Sequence, residues 1–331
     1  PDVFAAAILN SQPMGFYAPA QLVRDALEHG VEVRPADVNF SNWQNTLENN
    51  GTGYYALRLG FRQIKGFPKN AAMSIINARD RPYQDLADIK HRTRLTNISL
   101  KRLARADAYG SMKLRRRDAL WAVRALPAAP LPLFEGGEQR YTPDISLPDM
   151  AIGEEVTHDY ATLRMSLKTH PLALLREELD AANVVANKRL IHTKDGTHVK
   201  VAGITLLRQR PGTASGVVFI TLEDETGVAN LIIWPKTFEK FRRVIMSARL
   251  IRVTGRLQRE GIVVHIIADH LEDMTSRLHE LSGPDFESRE YKKSANSPYG
   301  NNLARADEVK IRFTRSQQLG TRKMYPSRDF H

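Results

Sequence analysis

The residues best placed to do chemistry are lysines and arginines around two turns between residues 57 and 126. The first turn is Ile-Lys-Gly-Phe at 64–67, and the second, Asp-Ala-Tyr-Gly at 107–110, precedes three consecutive arginines. A glycine lets the chain come close to an anion, and the N–H groups that open the following helix point at that anion. Lysine and arginine add charge-assisted hydrogen bonds. The pattern predicts contacts with a nucleic-acid backbone, which position the nucleic acid without reading its sequence.

The eight candidate phosphate-binding residues are Lys65, Gly66, Lys69, Gly110, Lys113, Arg115, Arg116 and Arg117. Their segment predicts a tandem helix-hairpin-helix, in which each pair of helices is joined by a tight turn. It contains 17 lysines and arginines against 5 acidic residues, a balance of +12 in a chain whose net charge is +11. Such a local field suits a polyanion. The alternative is two helical hairpins whose glycines only end helices and whose charges face solvent.

A second set of candidates lies in a β-rich region that begins near residue 198. Five runs that favour strands are bounded by turn residues, and one amphipathic helix, residues 236–248, falls between the third and the fourth. This is the order of the OB-fold, a five-stranded barrel that commonly binds oligonucleotides. We expect its nucleic-acid face to be built from strands 1 to 3 and from the loops between strands 1 and 2 and between strands 4 and 5. We interpret the acidic stretch at 222–227 as the turn between the second and third strands.

The candidate single-strand-binding residues of this barrel are Arg208, Arg210, Phe219, Trp234, Arg256, Arg259 and His265. Proteins hold single strands by stacking aromatic side chains on the bases within a basic groove. In the alternative, Phe219 and Trp234 point into the barrel and belong to its core.

A third candidate is the short peptide Leu-Pro-Leu-Phe in a proline-rich linker. Its prolines limit the entropy lost when an extended peptide is ordered in a pocket, and such peptides dock on sliding clamps. The candidate clamp-binding residues are Leu131, Leu133 and Phe134, and Pro130 stands where a glutamine usually begins such a peptide. The alternative is an ordinary linker whose phenylalanine packs on a neighbouring domain.

The sequence lacks the patterns of a self-sufficient active site. It contains no cysteine, which excludes disulfides and thiol nucleophiles. It has no Asp-x-Asp pair for two-metal phosphoryl transfer, no phosphate loop, no His-Glu-x-x-His and no Gly-x-Ser-x-Gly. We therefore predict no catalytic residue, no metal site and no cofactor in this chain. No apolar run reaches the ~18 residues of a membrane span, so we expect a cytoplasmic protein without a membrane partner.

These elements predict an α+β multidomain chain. The predicted boundaries are a helical region at 1–56, the tandem helix-hairpin-helix at 57–126, a proline-rich linker at 127–153, a helical connector at 154–194, the five-stranded OB-fold barrel at 195–275 and a tail at 276–331. The tail is polar and basic, so we expect it to be mostly disordered.

Four long runs carry a family resemblance. They are LNSQPMGFYAPAQLVRDALEHGVEVRPADVNFSNW at 9–43, YALRLGFRQIKGF at 55–67, LARADAYGSMKLRRRDALWAV at 103–123 and FITLEDETGVANLIIWP at 219–235. Together they resemble bacterial C-family DNA polymerases. The break QPMGFY and the final SRDFH are similar to the error-prone, damage-induced branch of that family.

The resemblance implies that residues 1–56 are the end of the polymerase fingers, followed by duplex-binding hairpins, the barrel and the tail. It places the catalytic aspartates and their Mg²⁺ in a palm domain that precedes this segment, so we expect this C-terminal portion alone to be inactive. It implies primer-template duplex and single-stranded template as the DNA partners. A sliding clamp and an inactive Y-family-like translesion partner, docked on the tail, are further expected partners.

Two functions follow from these expectations. The first is the DNA-binding C-terminal portion of an error-prone polymerase, whose template-directed nucleotidyl transfer serves translesion synthesis and DNA repair. The second is a non-catalytic adaptor that holds DNA and a clamp.

Overall fold

The computed structural model describes residues 1–13, 17–51, 53, 55–126, 147–261 and 263–283. These residues form two units. The first contains the described residues of Pro1–Met150 together with Thr162–Leu167, and the second contains Ala151–Ala161 and the described residues of Lys168–His331.

The first unit begins with two helices and a small sheet. Its elements are α1 (Asp2–Asn10), α2 (Pro19–Glu28), β1 (Val33–Arg34), β2 (Thr46–Asn49) and β3 (Tyr55–Arg58). Strand β3 lies in the middle, parallel to β1 and antiparallel to β2. The sequence did not predict β2, because its single apolar residue, Leu47, gives no alternation for a pattern to detect.

The basic part of this unit is a series of short helices. They are α3 (Lys69–Asn77), α4 (Leu86–Thr93), α5 (Asn97–Arg105) and α6 (Arg116–Ala125), with single 3-10 turns at Phe61–Gln63 and Gly110–Met112. Helix α5 begins where the Thr96 side chain accepts a hydrogen bond from the Ser99 amide, a stabilising N-cap. Its face carries Leu100 and Leu103, which are fully buried, so apolar spacing fixes which side of the helix meets the core.

The second unit is a barrel with helices around it. Its elements are α7 (Ile152–Leu163, whose last two residues belong to the first unit), α8 (Pro171–Leu174), α9 (Arg176–Ala181), a 3-10 helix (Asn187–His192), β4 (His198–Gln209), β5 (Val218–Glu223), β6 (Val228–Ile233), α10 (Pro235–Lys240), α11 (Arg242–Ser247), β7 (Leu250–Glu260), β8 (Val263–Asp273) and α12 (Thr275–Glu280). The strands close in the order β4-β5-β6-β8-β7, with β6 parallel to β8. This confirms the predicted five-stranded barrel and the predicted turn between β5 and β6.

Alternation along the strands builds the barrel core. Ile220 and Leu222 of β5 and Leu231 of β6 are buried in it, and Phe219 and Thr221, which alternate with the first two along β5, lie on the opposite face of the sheet. At Gly255, beside an irregularity in the pairing of β7 with β8, a Cβ atom would lie 2.1 Å from the carbonyl oxygen of Ile267. Only glycine allows that approach.

Two details of this unit differ from the sequence prediction. The single helix predicted at 236–248 is two helices, interrupted at Phe241, whose ring lies edge-on to His270 at a centroid distance of 4.9 Å. Helix α12 extends the structure into the start of the predicted tail, because Leu278 and Leu281 are buried against the connector helices and β4. The rest of the tail, from residue 284, and residues 127–146 of the linker lie outside the described residues.

In the part of the chain that the structure describes, no helix is long and apolar enough to cross a membrane.

Candidate nucleic-acid interface

The first hairpin turn has the backbone geometry that the sequence predicts for an anion-binding loop. Gly66 has a φ of +68°, in the left-handed region that L side chains rarely adopt. Two residues later, Pro68 is the N-cap of α3, with no side-chain cap bond, and Lys69 is the first helical residue. Lys65, Gly66 and Lys69 are all exposed. The turn therefore presents its backbone and two cations to solvent.

A third cation supports this turn from α5. Arg102 donates from Nη1 to the carbonyl oxygen of Gly66 at 2.6 Å. The amide of Lys65 donates to the carbonyl of Thr162 at 2.8 Å. Hydrogen bonds therefore hold the backbone of the turn both at Lys65 and at Gly66. The sequence did not single out Arg102, since a contact between residues 36 positions apart leaves no local pattern.

The second turn has two residues other than glycine in the left-handed region. Asp107 follows α5 with a φ of +59°, and its carboxylate lies 3.9 Å from Arg116. Lys113 also has a positive φ, +56°, and is exposed. Lys113 stands two residues before Arg115, the N-cap of α6, as Gly66 stands two residues before the N-cap of α3. A lysine thus occupies the left-handed position that glycine holds in the first turn.

The helical N–H next to Gly110 already has an acceptor within the protein. Gly110 is exposed, but the Ser111 amide and hydroxyl donate to the Asp37 carboxylate at 2.8 and 2.7 Å. The Asn39 side chain donates to the Ser111 hydroxyl as well, at 2.9 Å. In this structure the opening of the second 3-10 turn is satisfied internally.

The three consecutive arginines have three different environments. Arg116 is 1% exposed and belongs to the buried face of α6. Arg115 is exposed and pairs with Asp118 at 3.0 Å and with Asp149. Arg117 is half-buried and donates to the carbonyl of Pro148 at 2.7 Å. The structure does not gather them into one cationic surface.

The barrel has an outward row of residues across adjacent strands. Phe219 of β5 pairs with Gln209 of β4 and with Ile232 of β6, and Ile232 pairs with Ile267 of β8. Phe219 is half-buried, and it is not among the described residues that form the barrel core. The alternative in which it points inward does not agree with this placement.

Trp234 lies at the end of β6 and is 51% exposed. It is the N-cap of α10. Arg210 follows β4, is exposed, and places its guanidinium carbon 5.3 Å from the centre of the Phe238 ring. Trp234 and Arg210 therefore both lie beside α10, next to residues of the outward row, where an aromatic ring and a cation can hold a base and a phosphate.

The other four barrel candidates are spread around the structure. Arg208 is 4% exposed and donates to the carbonyl of Ala248. Arg259 donates from Nη2 to the carbonyls of Ile191 and Thr193, at 2.6 and 2.8 Å. These contacts give both arginines a structural role in the barrel.

Arg256 and His265 lie on two neighbouring strands of the barrel, β7 and β8. Arg256 is exposed on β7 and pairs with Ile267, so it borders the outward row. His265 is half-buried on β8 opposite Asn230. Burial lowers the pKa of His265 below its usual value, and nearby Glu260 opposes that shift. The imidazole is therefore neutral at pH 7, so it offers a ring and a hydrogen bond rather than a charge.

Two expectations concern chemistry beyond these surfaces. The clamp-binding candidates Leu131, Leu133 and Phe134 lie outside the described residues. Within the described ranges, no three His, Asp or Glu side chains come together in a way that could hold a metal ion.

Two family models match the chain. Residues 30–119 match a model described as a helix-hairpin-helix motif, and residues 199–274 match an OB-fold nucleic acid binding domain. These matches confirm the predicted order, a helix-hairpin-helix region followed by an OB-fold. A solved structure, asparaginyl-tRNA synthetase from Pyrococcus horikoshii, is 20% identical over 28% of this chain and 23% of its own, with a TM-score of 0.24.

Curated relatives match far more of the chain. The error-prone DNA polymerase of Ruegeria pomeroyi is 47% identical over 100% of this chain, and that of Brucella abortus is 54% identical over 86% of it. Error-prone DNA polymerase 1 of Rhizobium meliloti is 47% identical over 84%. The chain spans only 27–30% of the length of these relatives and corresponds to their C-terminal part. On this similarity, and on the order of its two nucleic-acid-binding folds, the chain belongs to the family of bacterial error-prone DNA polymerases.

Proposed function

We propose that this chain holds DNA for template-directed nucleotidyl transfer, which is carried out by a part of the longer polymerase that the chain does not include. In this role the first unit binds the phosphates of the primer-template duplex, and the second unit binds single-stranded template. The work of the full enzyme would be synthesis across damaged template. Its Mg²⁺ ions would be bound outside the described residues.

The observation that carries this proposal is the exposed turn at Gly66. A left-handed glycine, two exposed lysines and an arginine bound to the turn carbonyl lie together before a helix without a side-chain cap. Oriented N–H groups with adjacent cations are a suitable receptor for a backbone phosphate. Such contacts are independent of sequence, as a polymerase requires.

The barrel supports the single-strand part of the proposal. Phe219 lies in the outward row, and Trp234 and Arg210 lie next to it beside α10, which gives this face two aromatic rings and a cation. An aromatic ring can stack on any base, so this surface can follow a template of any sequence.

Further partners are proposals that rest on the sequence. Leu131–Phe134 would bind a sliding clamp, and residues 284–331 would bind an inactive Y-family-like translesion partner. A cytoplasmic location goes with these roles.

The proposal can be tested with the whole chain and two fluorescent DNA probes, an oligo-dT and a blunt duplex. Trp234→Ala should weaken oligo-dT binding by about 1–3 kcal/mol and leave duplex binding unchanged. The matched control is Trp121→Ala, which removes a tryptophan of similar exposure, 46%, from the first unit. The chain should not extend a primer. Equal oligo-dT affinity in both variants, or measurable primer extension, would contradict the proposal.

A further inference from the structure

The helices between β6 and β7 carry a basic surface that the proposed function does not use. We define the α10–α11 surface as Lys236, Lys240, Arg242 and Arg243, all of which are exposed. Glu239 is the one acidic residue of these two helices, and its carboxylate lies 3.9 Å from Arg242. These two six-residue helices pack through Phe238 and Ile245. Their packing does not require the exposed positive charges.

This surface is continuous with the aromatic end of the barrel face. Trp234 is the N-cap of α10, so Lys236 follows it by two residues. Arg210 and Arg242 lie over the same Phe238 ring, with guanidinium carbons 5.3 and 5.8 Å from its centre. A Cβ atom on Gly216 would lie 3.4 Å from Arg210 and 3.6 Å from Pro235, which places the loop before β5 against the start of α10.

We infer that a single DNA strand leaving the barrel face passes over Trp234 and continues along the α10–α11 surface, where its phosphates contact Lys236, Lys240 and Arg243. This inference rests on the proposed DNA-binding function and extends its site. The charge is complementary to a phosphate backbone, and the exposed tryptophan joins the two surfaces. The barrel would therefore bind a longer strand than its outward row alone can cover.

The test compares short and long oligonucleotides on the whole chain. Oligo-dT of about 8 nucleotides should fill one barrel face, and oligo-dT of about 24 nucleotides should reach both surfaces, since single OB-folds cover roughly 4–16 nucleotides. The variant is Lys236→Gln/Lys240→Gln/Arg243→Gln. The matched control, Lys188→Gln/Arg189→Gln/Lys194→Gln, removes three exposed cations near the opposite end of β6.

In the α10–α11 variant, we expect binding of the short oligo-dT to be unchanged and the added affinity of the long one to be lost. The slope of log K against log salt for the long oligo-dT should fall by about 2, from three contacts at roughly 0.7 each. The control variant should keep both the added affinity for the long oligo-dT and the wild-type salt slope. Equal slopes and affinities in variant and control would overturn the inference while leaving the proposed function intact. A wild-type chain that binds neither oligonucleotide would overturn both.

Discussion

In the first hairpin turn the left-handed position is Gly66, and the cations beside it are exposed. In the second turn that position is Lys113, Arg116 is buried, and the Ser111 amide is bound by Asp37. The segment that contains both turns is strongly basic, yet in the second turn several cations and N–H groups are bound within the protein. The comparison shows that the number of cations in a segment does not determine how many can meet a ligand.

The same distinction applies to the barrel. Arg208 and Arg259 satisfy backbone carbonyls, whereas Arg210 is exposed and lies over the buried ring of Phe238. A buried guanidinium that binds carbonyls stabilises the loops around it, and substituting it leaves those acceptors unsatisfied. We therefore expect substitution of Arg208 or Arg259 to lower the stability of the protein, and substitution of Arg210 to weaken DNA binding.

The largest effect should come from Arg116. Arg116→Ala should lower the free energy of unfolding by about 2–4 kcal/mol, because it removes a large buried side chain from the core side of α6. Arg124→Ala, an exposed position on the same helix, should change it by less than about 0.5 kcal/mol. Urea denaturation followed by circular dichroism measures both. A stable Arg116→Ala variant with a reduced salt slope for DNA would place Arg116 on the interface instead.

Gly66 and Gly110 provide a matched pair for the turns. Gly66→Ala should cost about 1–2 kcal/mol of unfolding free energy, because its φ of +68° is strained for any L side chain. The added Cβ itself would have room, with its nearest neighbour, Arg102, 3.8 Å away. Gly110→Ala should be nearly neutral, since its Cβ would meet Asp37 at an ordinary 3.7 Å. Only Gly66→Ala should also weaken duplex binding. Equal losses would mean that the two turns act alike.

Removing the acid from the second turn should strengthen its attraction for a phosphate backbone. Asp107→Asn keeps a residue type that tolerates the left-handed region and removes a negative charge. Duplex affinity at low salt should rise by about two- to fivefold, and the gain should vanish at high salt because the effect is electrostatic. Titration of a labelled duplex at two salt concentrations measures this. A gain that persists at high salt would point to a structural cause.

The smallest effect concerns His265. Because burial lowers its pKa, the ring is uncharged at pH 7, and His265→Ala should leave the salt slope for oligo-dT unchanged. A fall of about 0.7 would show that the ring is protonated and contacts a phosphate.

The barrel could be predicted because its information is local. Alternation in each strand and one helix after the third strand specify the OB-fold order, and the β5–β6 turn follows from the residues between them. The small strand β2 could not be predicted from its residues. Arg208 was unpredictable for another reason: the β4–β5 register shifts between Thr205 and Leu207, and a simple alternation cannot anticipate a bulge.

The burial of Arg116 did leave a signal in the sequence. Ala119 and Val123 are buried on α6, and residue 116 precedes them by three and seven positions, on the same helix face. Three consecutive arginines cannot share one face, so one of them had to point toward the core. The pairing of Asp37 with Ser111 had no such signal, because it joins residues 74 positions apart.

The most direct test compares the two turns by the salt dependence of duplex binding. Lys65→Gln/Lys69→Gln removes two cations at the first turn, and Arg115→Gln/Arg117→Gln removes two at the second. The slope of log K against log salt should fall by about 2 in the first variant, at roughly 0.9 per phosphate contact, and by less than about 1 in the second. A larger fall in the second variant would contradict the account and make the second turn the principal DNA contact.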